Sequence, residues 1–359
     1  MRGIDMELGS EYNLTLEDLT IKDDNIFKYL RPFERQCYFD SGRSALRHFI
    51  SFFQDADEFL MPEFICRSVT DCFQRDKIRF YKLNHDFSAD LESLGSMING
   101  HTRVLFLMHY FGAVRPRDEL LRIREFADDN GLIIVEDTTH SIFSESCTIG
   151  DYQVCSIRKW IPVPSGGVLY SGEDPMRMFD RIDHERSTDN SRTYGMVLKD
   201  LFLKTGFDCN EEYRKIFREC EDRLDKQKDI YLLSDLSRYI ASCVDVKALK
   251  RSRVRNYDLL KTELGKRGIE PVVKLREDDC PLVFPIKVND RDDLRSFLMD
   301  NRIYCAVHWP FDGEKRNERC FAAECAEKLI SLPVDQRYDE KDIIYLVETM
   351  DKYGENKKC

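Results

Sequence analysis

The chain has 359 residues, 42% of them hydrophobic, which suits about two domains with a sizeable core. A net charge of −11 argues against non-specific binding to nucleic acid or acidic membrane. No window approaches the ~20 apolar residues of a membrane span, and residues 1–40 show no signal-peptide pattern, so a cytoplasmic location is expected. The 13 cysteines include no C-x-x-C pair and read as reduced thiols. Cys320 and Cys325 lack a second Cys/His pair at ligand spacing, so no metal is expected.

Residues 1–30 are polar and mixed, with an acidic helical look from Leu16 to Asp24, and read as an N-terminal arm or lid. Ser41 and Gly42 precede an apolar-periodic run from Ala45 to Phe53, the signal of a capped helix start. Such a start offers free N–H groups and the positive dipole end to an anion, although an ordinary capped helix reads the same. Strands are expected at Glu58–Pro62, Ile78–Tyr81, Val104–Met108 and Leu132–Val135, with helices at Phe64–Phe73, Asp90–Met97 and Arg117–Asn130. Gly131 closes the last of these helices. This alternation of apolar strands with helices predicts a mostly parallel sheet covered on both sides. No G-x-G-x-x-G follows any strand, which sets a plain dinucleotide-binding fold aside.

Val154–Ser156 and Val168–Tyr170 read as two further strands. Between them Lys159 and Trp160 enter a loop stiffened by Pro162 and Pro164 and ended by Gly166-Gly167. Upstream, the run into Val135 ends in Glu136-Asp137-Thr138-Thr139-His140-Ser141. Ligands of open α/β sheets bind beyond the carboxyl ends of the strands. A lysine and an acid at two such ends are the groups a pyridoxal phosphate site requires: the amine condenses with the cofactor aldehyde, and the carboxylate keeps the pyridine nitrogen protonated. Asp137 alone also reads as a helix N-cap. Burial in apolar surroundings would make Lys159 more reactive. Arg158 is set aside, since neighbours in an extended segment point to opposite faces.

After Tyr170 the chain is strongly charged from Asp174 to Asn190, with helical patterns at Met196–Leu203 and Glu211–Leu224. A domain boundary is placed near residue 240, giving an arm at 1–30, a large domain at 31–240 and a small α/β domain at 241–359. In the last, helices are expected at Asp245–Lys266, Asp290–Asp300, Cys320–Leu329 and Asp339–Tyr353, and strands at Leu282–Val288 and Ile303–Val307.

The pairing of EDTTHS with SIRKWIPVPSGG resembles the DegT/DnrJ/EryC1/StrS sugar aminotransferases, fold type I pyridoxal phosphate enzymes. The Val-His-Trp-Pro turn followed by Ser-Leu-Pro resembles the C-terminal signature of the same family. The resemblance implies an α/β fold with a seven-stranded, mostly parallel sheet and a small C-terminal domain. It implies pyridoxal phosphate with the pyridoxamine form as intermediate, an amino donor such as glutamate, and a nucleotide-linked keto-sugar acceptor. Cell-surface polysaccharide or secondary-metabolite biosynthesis and a homodimer are implied likewise. Lys159 and Asp137 take the catalytic places, and Gly42, Arg43 and Ser44 match the turn that grips the cofactor phosphate. Ser156 has the spacing of a phosphate-binding hydroxyl. Cys66 stands where an aromatic ring usually covers the cofactor, with Phe64 two residues earlier. His140 reads either as a contact to the cofactor ring or as a core histidine satisfied by backbone. Tyr110, in a His-x-x-Gly turn, and His308 are assigned to the substrate.

The tail Pro164-Ser165-Gly166-Gly167 and the segment Asn190-Ser191-Arg192-Thr193-Tyr194-Gly195 depart from the family pattern. Two alternatives stand beside the aminotransferase. One is a homologue that binds the cofactor as a regulator or structural partner. The other is a dehydratase of the family, in which histidine replaces the lysine.

Overall fold

The computed structural model describes residues 7–16, 19–30, 35–145, 148–172, 186–310 and 320–356. The charged stretch expected to open at Asp174 lies outside these residues up to 185.

The first elements are β1 (Leu8–Gly9), α1 (Ile26–Tyr29) and β2 (Arg35–Phe39). Helix α2 (Gly42–Ile50) starts where the cap signal placed it, with the Ser41 hydroxyl accepting from the Ser44 N–H at 3.1 Å. After β3 (Glu58–Pro62) the expected ten-residue helix shrinks to one turn, α3 (Arg67–Thr70). Phe64 and Phe73 instead go to two different cores on opposite faces of the sheet, so no continuous helix could serve both.

Then come β4 (Ile78–Tyr81), α4 (Leu91–Met97), β5 (Thr102–Met108), α5 (Arg117–Asp129) and β6 (Ile133–Asp137). They match the periodic reading closely, and Gly131 adopts a left-handed φ of 64° just past α5. Strands β7 (Tyr152–Ser156) and β8 (Gly167–Ser171) complete one seven-stranded sheet of order β2-β8-β7-β6-β5-β3-β4. Only β8 runs against its neighbours; the other ladders are parallel. Alternate side chains of β5 show why the strands read as continuous apolar runs: Val104 and Phe106 pack on the α2 side, Leu105 and Leu107 on the α5 side. By the same alternation Asp137 shares the α2 face with Val135, and Glu136 points to the other.

Helices α6 (Arg186–Thr205) and α7 (Asn210–Lys226) pack together, followed by α8 (Asp235–Ser242), which periodicity did not reveal. Beyond α9 (Val246–Gly265) lie β9 (Phe284–Lys287), α10 (Arg291–Asp300), β10 (Ile303–Tyr304), α11 (Phe321–Lys328), β11 (Leu329–Leu332) and α12 (Glu340–Asn356). β9 pairs antiparallel with β11. A separate apolar core joins Tyr257, Phe284, Leu298, Ile330 and Leu346. The strand expected at Ile303–Val307 is only two residues long, because β10 pairs with the equally short β1. The N-terminal arm is thus tied into the C-terminal part of the molecule, and its segment from 19 to 24 is irregular rather than helical.

Among the described residues no helix is long and apolar enough to cross a membrane. No group of three His, Cys, Asp or Glu side chains there could hold a metal ion.

Candidate active site

Asp137 ends β6 and stands opposite Val154 across the β6–β7 ladder. Lys159 follows β7 in a single 3₁₀ turn, Ile157–Lys159. Both line one cleft at the carboxyl edge of the sheet, together with the N-terminus of α2. Two glycines make that approach possible. A side chain on Gly167 would lie 2.0 Å from the Ser41 carbonyl oxygen, and one on Gly42 would lie 3.2 Å from the Ser156 Cβ.

Asp137 is buried, and its Oδ1 accepts from the Thr139 N–H at 2.8 Å in a local turn rather than a helix cap. Burial pushes its carboxyl above the usual range, against the lowering effect of Thr139 and of the more distant His109. No cationic side chain among the described residues pairs with it. A buried carboxylate facing an open cleft without a counter-cation suits a cationic ligand atom such as a pyridinium N–H.

Trp160 fixes the lysine loop to the acid loop. It is fully buried, its Nε1–H donates to the Thr139 carbonyl at 2.7 Å, and the Arg253 guanidinium lies 4.5 Å from its ring centroid. Ile161 and Val163 are buried beside it, as the apolar loop predicted. Lys159 itself is exposed to the cleft and makes no hydrogen bond to a described residue. The expected burial of this lysine is not found: the apolar loop packs behind it and leaves the side chain exposed.

His140 is buried and lines the cleft. Its Nδ1 accepts from the Phe111 N–H at 3.3 Å, and burial, with His308 and Lys159 nearby, holds its pKa well below the ordinary value. The neutral ring consequently carries its proton on Nε2 and offers a donor. The two readings of His140 are not exclusive: one nitrogen is satisfied by backbone and the ring still borders the cleft. His308 borders it as well, with Nδ1 2.8 Å from the Ser331 hydroxyl. Burial and the Lys159 charge push its pKa down to about 3.

Gly42, Arg43, Cys66 and Ser156 also line the cleft. The N–H groups of Gly42 and Arg43 open α2 and have no acceptor within the helix. The Arg43 guanidinium is held by Asp225 at 2.6 Å. Ser44, Phe64 and Tyr110 do not reach it. Ser44 is fully buried behind the helix start, where its hydroxyl accepts from Ser41 and Gln227. The Tyr110 hydroxyl donates to the Phe64 carbonyl at 2.6 Å, and both rings pack against Trp309. The Trp309 ring lies at the cleft, stacked 5.5 Å from His140.

Arg158 corrects the sequence reading. The 3₁₀ turn wraps the chain, so Arg158 and Lys159 border the same cleft instead of opposite faces. Arg158 and Arg192 share the Glu221 carboxylate. Burial raises that carboxyl, but the two guanidiniums outweigh it and hold the group far below the usual range. Glu221 lies beside the apolar stripe of Tyr213, Phe217, Cys220 and Leu224, so nothing in the helical pattern distinguished it. Trp309 was in view within the Val-His-Trp-Pro turn, yet only its aromatic character hinted at a role.

The sequence matches no family model and no curated protein. Solved structures do match the fold. CalS13, a sugar aminotransferase from Micromonospora echinospora, is 17% identical with a TM-score of 0.67, over 97% of this chain and all of the other. Spr1654 from Streptococcus pneumoniae, described as a sugar aminotransferase in its PMP-form, is 14% identical with a TM-score of 0.67, over 98% of both chains. A DegT DnrJ EryC1 StrS aminotransferase from Brucella abortus is 14% identical with a TM-score of 0.64, over 95% of this chain and 91% of the other. At these identities the likeness establishes the fold.

Proposed function

We propose that a chain with this fold and this cleft is an aminotransferase of the DegT/DnrJ/EryC1/StrS type that uses pyridoxal phosphate. In this reading residues 31–240 form the cofactor-binding domain and residues 241–359 the small domain. The amino group comes from an amino acid, glutamate foremost, passes through the pyridoxamine phosphate form, and goes to a keto sugar carried on a nucleotide. A second copy of the chain completes the site. The observation that carries the reading is one cleft holding a buried carboxylate, Asp137, and an amine, Lys159, neither of which pairs with a charged side chain among the described residues. The names of the structural neighbours, and the PMP-form of one of them, support it.

Bound pyridoxal phosphate would supply an electron-accepting ring that stabilises negative charge on the carbon next to nitrogen. The chain's own residues do the rest. Asp137 would hold a proton on the ring nitrogen, and Lys159 would bind the cofactor aldehyde. The Lys159 amine is also the base placed to take and return a proton at the donor carbon. His140 would donate from Nε2 to the phenolic oxygen. The N–H groups of Gly42 and Arg43, with the Ser156 hydroxyl, would receive the phosphate. Cys66 would stand on one side of the ring in place of an aromatic cover, and the Trp309 ring also lines the cleft.

The test is spectroscopic. Protein incubated with pyridoxal phosphate should acquire a visible absorption band, glutamate should bleach it with release of 2-oxoglutarate, and nucleotide-linked keto sugars should restore it. A protein that stays colourless after incubation contradicts the proposal.

A further inference from the structure

A second cavity, of about 450 Å³, lies where the loop from Val272 to Arg276 meets the turns at residues 85–87 and 109–116. Met108 is the only described residue that lines both it and the first cleft. The turn His109-Tyr110-Phe111-Gly112 belongs to this cavity: His109 and Tyr110 line it, and neither lines the first cleft. Nothing in the chemistry assigned to Lys159 and Asp137 uses it.

Its walls are mostly apolar. Phe87, Met108, Val114 and Val273 are buried members of the core on the α5 side of the sheet. Phe87 has a left-handed φ of 65°, an outlier for a bulky residue, and its ring packs edge-on against Phe111 and Phe321. That wall is therefore braced from behind by aromatic rings. An apolar hollow of this size with a few polar groups has the form of a small-molecule site.

The polar groups give the sign of the ligand. The one lining carboxylate, Asp86, is taken by Arg115 at 2.7 Å, and Arg115 is also held by Glu119 at 2.6 Å. Arg276 pairs with Asp279 at 3.0 Å. Buried His109 has its Nε2 at 3.3 Å from Glu136. Lys274 differs: it is exposed at the cavity, and among the described residues its ammonium has no partner. A cationic ligand would meet no unpaired carboxylate here. A dianion such as phosphate would lie on an apolar wall with one free cation to neutralise it. A singly charged anion with an apolar body fits both the walls and the lysine. We propose that this cavity binds an amphipathic monocarboxylate, with its apolar body against Phe87, Met108, Val114 and Val273 and its carboxylate paired with Lys274. The proposal does not rest on the aminotransferase reading.

The test titrates the full chain calorimetrically with phenylacetate, with its neutral amide phenylacetamide and with inorganic phosphate. The wild type should bind phenylacetate, and the other two should each bind about fivefold or more weakly. Lys274→Gln should weaken phenylacetate binding about fivefold and leave phenylacetamide unchanged, whereas Lys274→Arg should keep the preference. Lys274 is exposed, so neither variant should disturb the fold. Phenylacetate should also protect Lys274 from amine acylation, read by peptide mass mapping. Equal affinity of wild type and Lys274→Gln for phenylacetate overturns the proposal. So does protection of Lys159 in place of Lys274, or no binding of phenylacetate at millimolar concentration.

Discussion

Asp137 and Lys159 reach one cleft from neighbouring parallel strands, the acid at the end of β6 and the amine one turn beyond β7. Trp160 braces the two loops by donating to Thr139, two residues after the acid. The chemistry proposed above depends on this relationship, and the consequences can be measured separately.

Asp137→Asn keeps the shape and removes the charge. The Asp137 carboxyl is raised above its unfolded value, so its contribution to stability is full below that value and is lost as pH rises through the folded one. At neutral pH the cofactor-free Asn variant should therefore melt at or above the temperature of the wild type. Its turnover should fall roughly a hundredfold or more, on the scale of losing a catalytic electrostatic partner. Calorimetric melting and steady-state rates check both halves. A variant that melts lower and turns over normally would show Asp137 to be structural.

Trp160→Phe keeps a large buried ring and deletes one donor. The Thr139 carbonyl then loses its 2.7 Å partner, at a cost of about 1–3 kcal/mol. The urea midpoint should drop accordingly, and affinity for pyridoxal phosphate should fall because the two loops are no longer tied. An unchanged midpoint would mean that water replaces the indole without cost.

The histidines should be silent at physiological pH. Burial holds His140 well below its ordinary pKa, and burial with the Lys159 charge takes His308 to about 3. Both groups are depressed, so the unfolded chain binds more protons once pH falls below about 6.5, and stability declines there. The imidazole NMR signals of His140 and His308 in the cofactor-free protein should stay those of neutral rings from about pH 7.5 to about pH 5. Lys159→Ala should move the His308 midpoint upward, since a nearby positive charge is gone. Midpoints near 6.5 for these two rings in the wild type would contradict the environments described.

Much of the frame was legible because both faces of the central strands are apolar and their bounds carry turn signals, as at Gly131 and Ser41. The Asp137/Lys159 juxtaposition was legible for the same reason: Asp137 ends one strand, Lys159 follows the end of the next, and parallel strands bring their carboxyl ends together. What failed was local and three-dimensional. Arg158 was assigned to the wrong face because a one-turn 3₁₀ segment has no sequence signature of its own. The helix at 64–73 was overextended because Phe64 and Phe73 are apolar for different cores. β1 and β10 are two residues each and exist only through pairing with one another, which no periodicity records. Tyr110 and Phe64 looked like site aromatics and instead form the wall behind Trp309.

The central claim is that the ε-amine of Lys159 binds the aldehyde of pyridoxal phosphate. Reduction of the cofactor-loaded protein with borohydride, followed by peptide mass mapping, tests it most directly. The account predicts a pyridoxyl phosphate mass increment on the peptide containing Lys159 and its absence from Lys159→Ala. An increment on another lysine, or none on any peptide of a protein incubated with the cofactor, would contradict it.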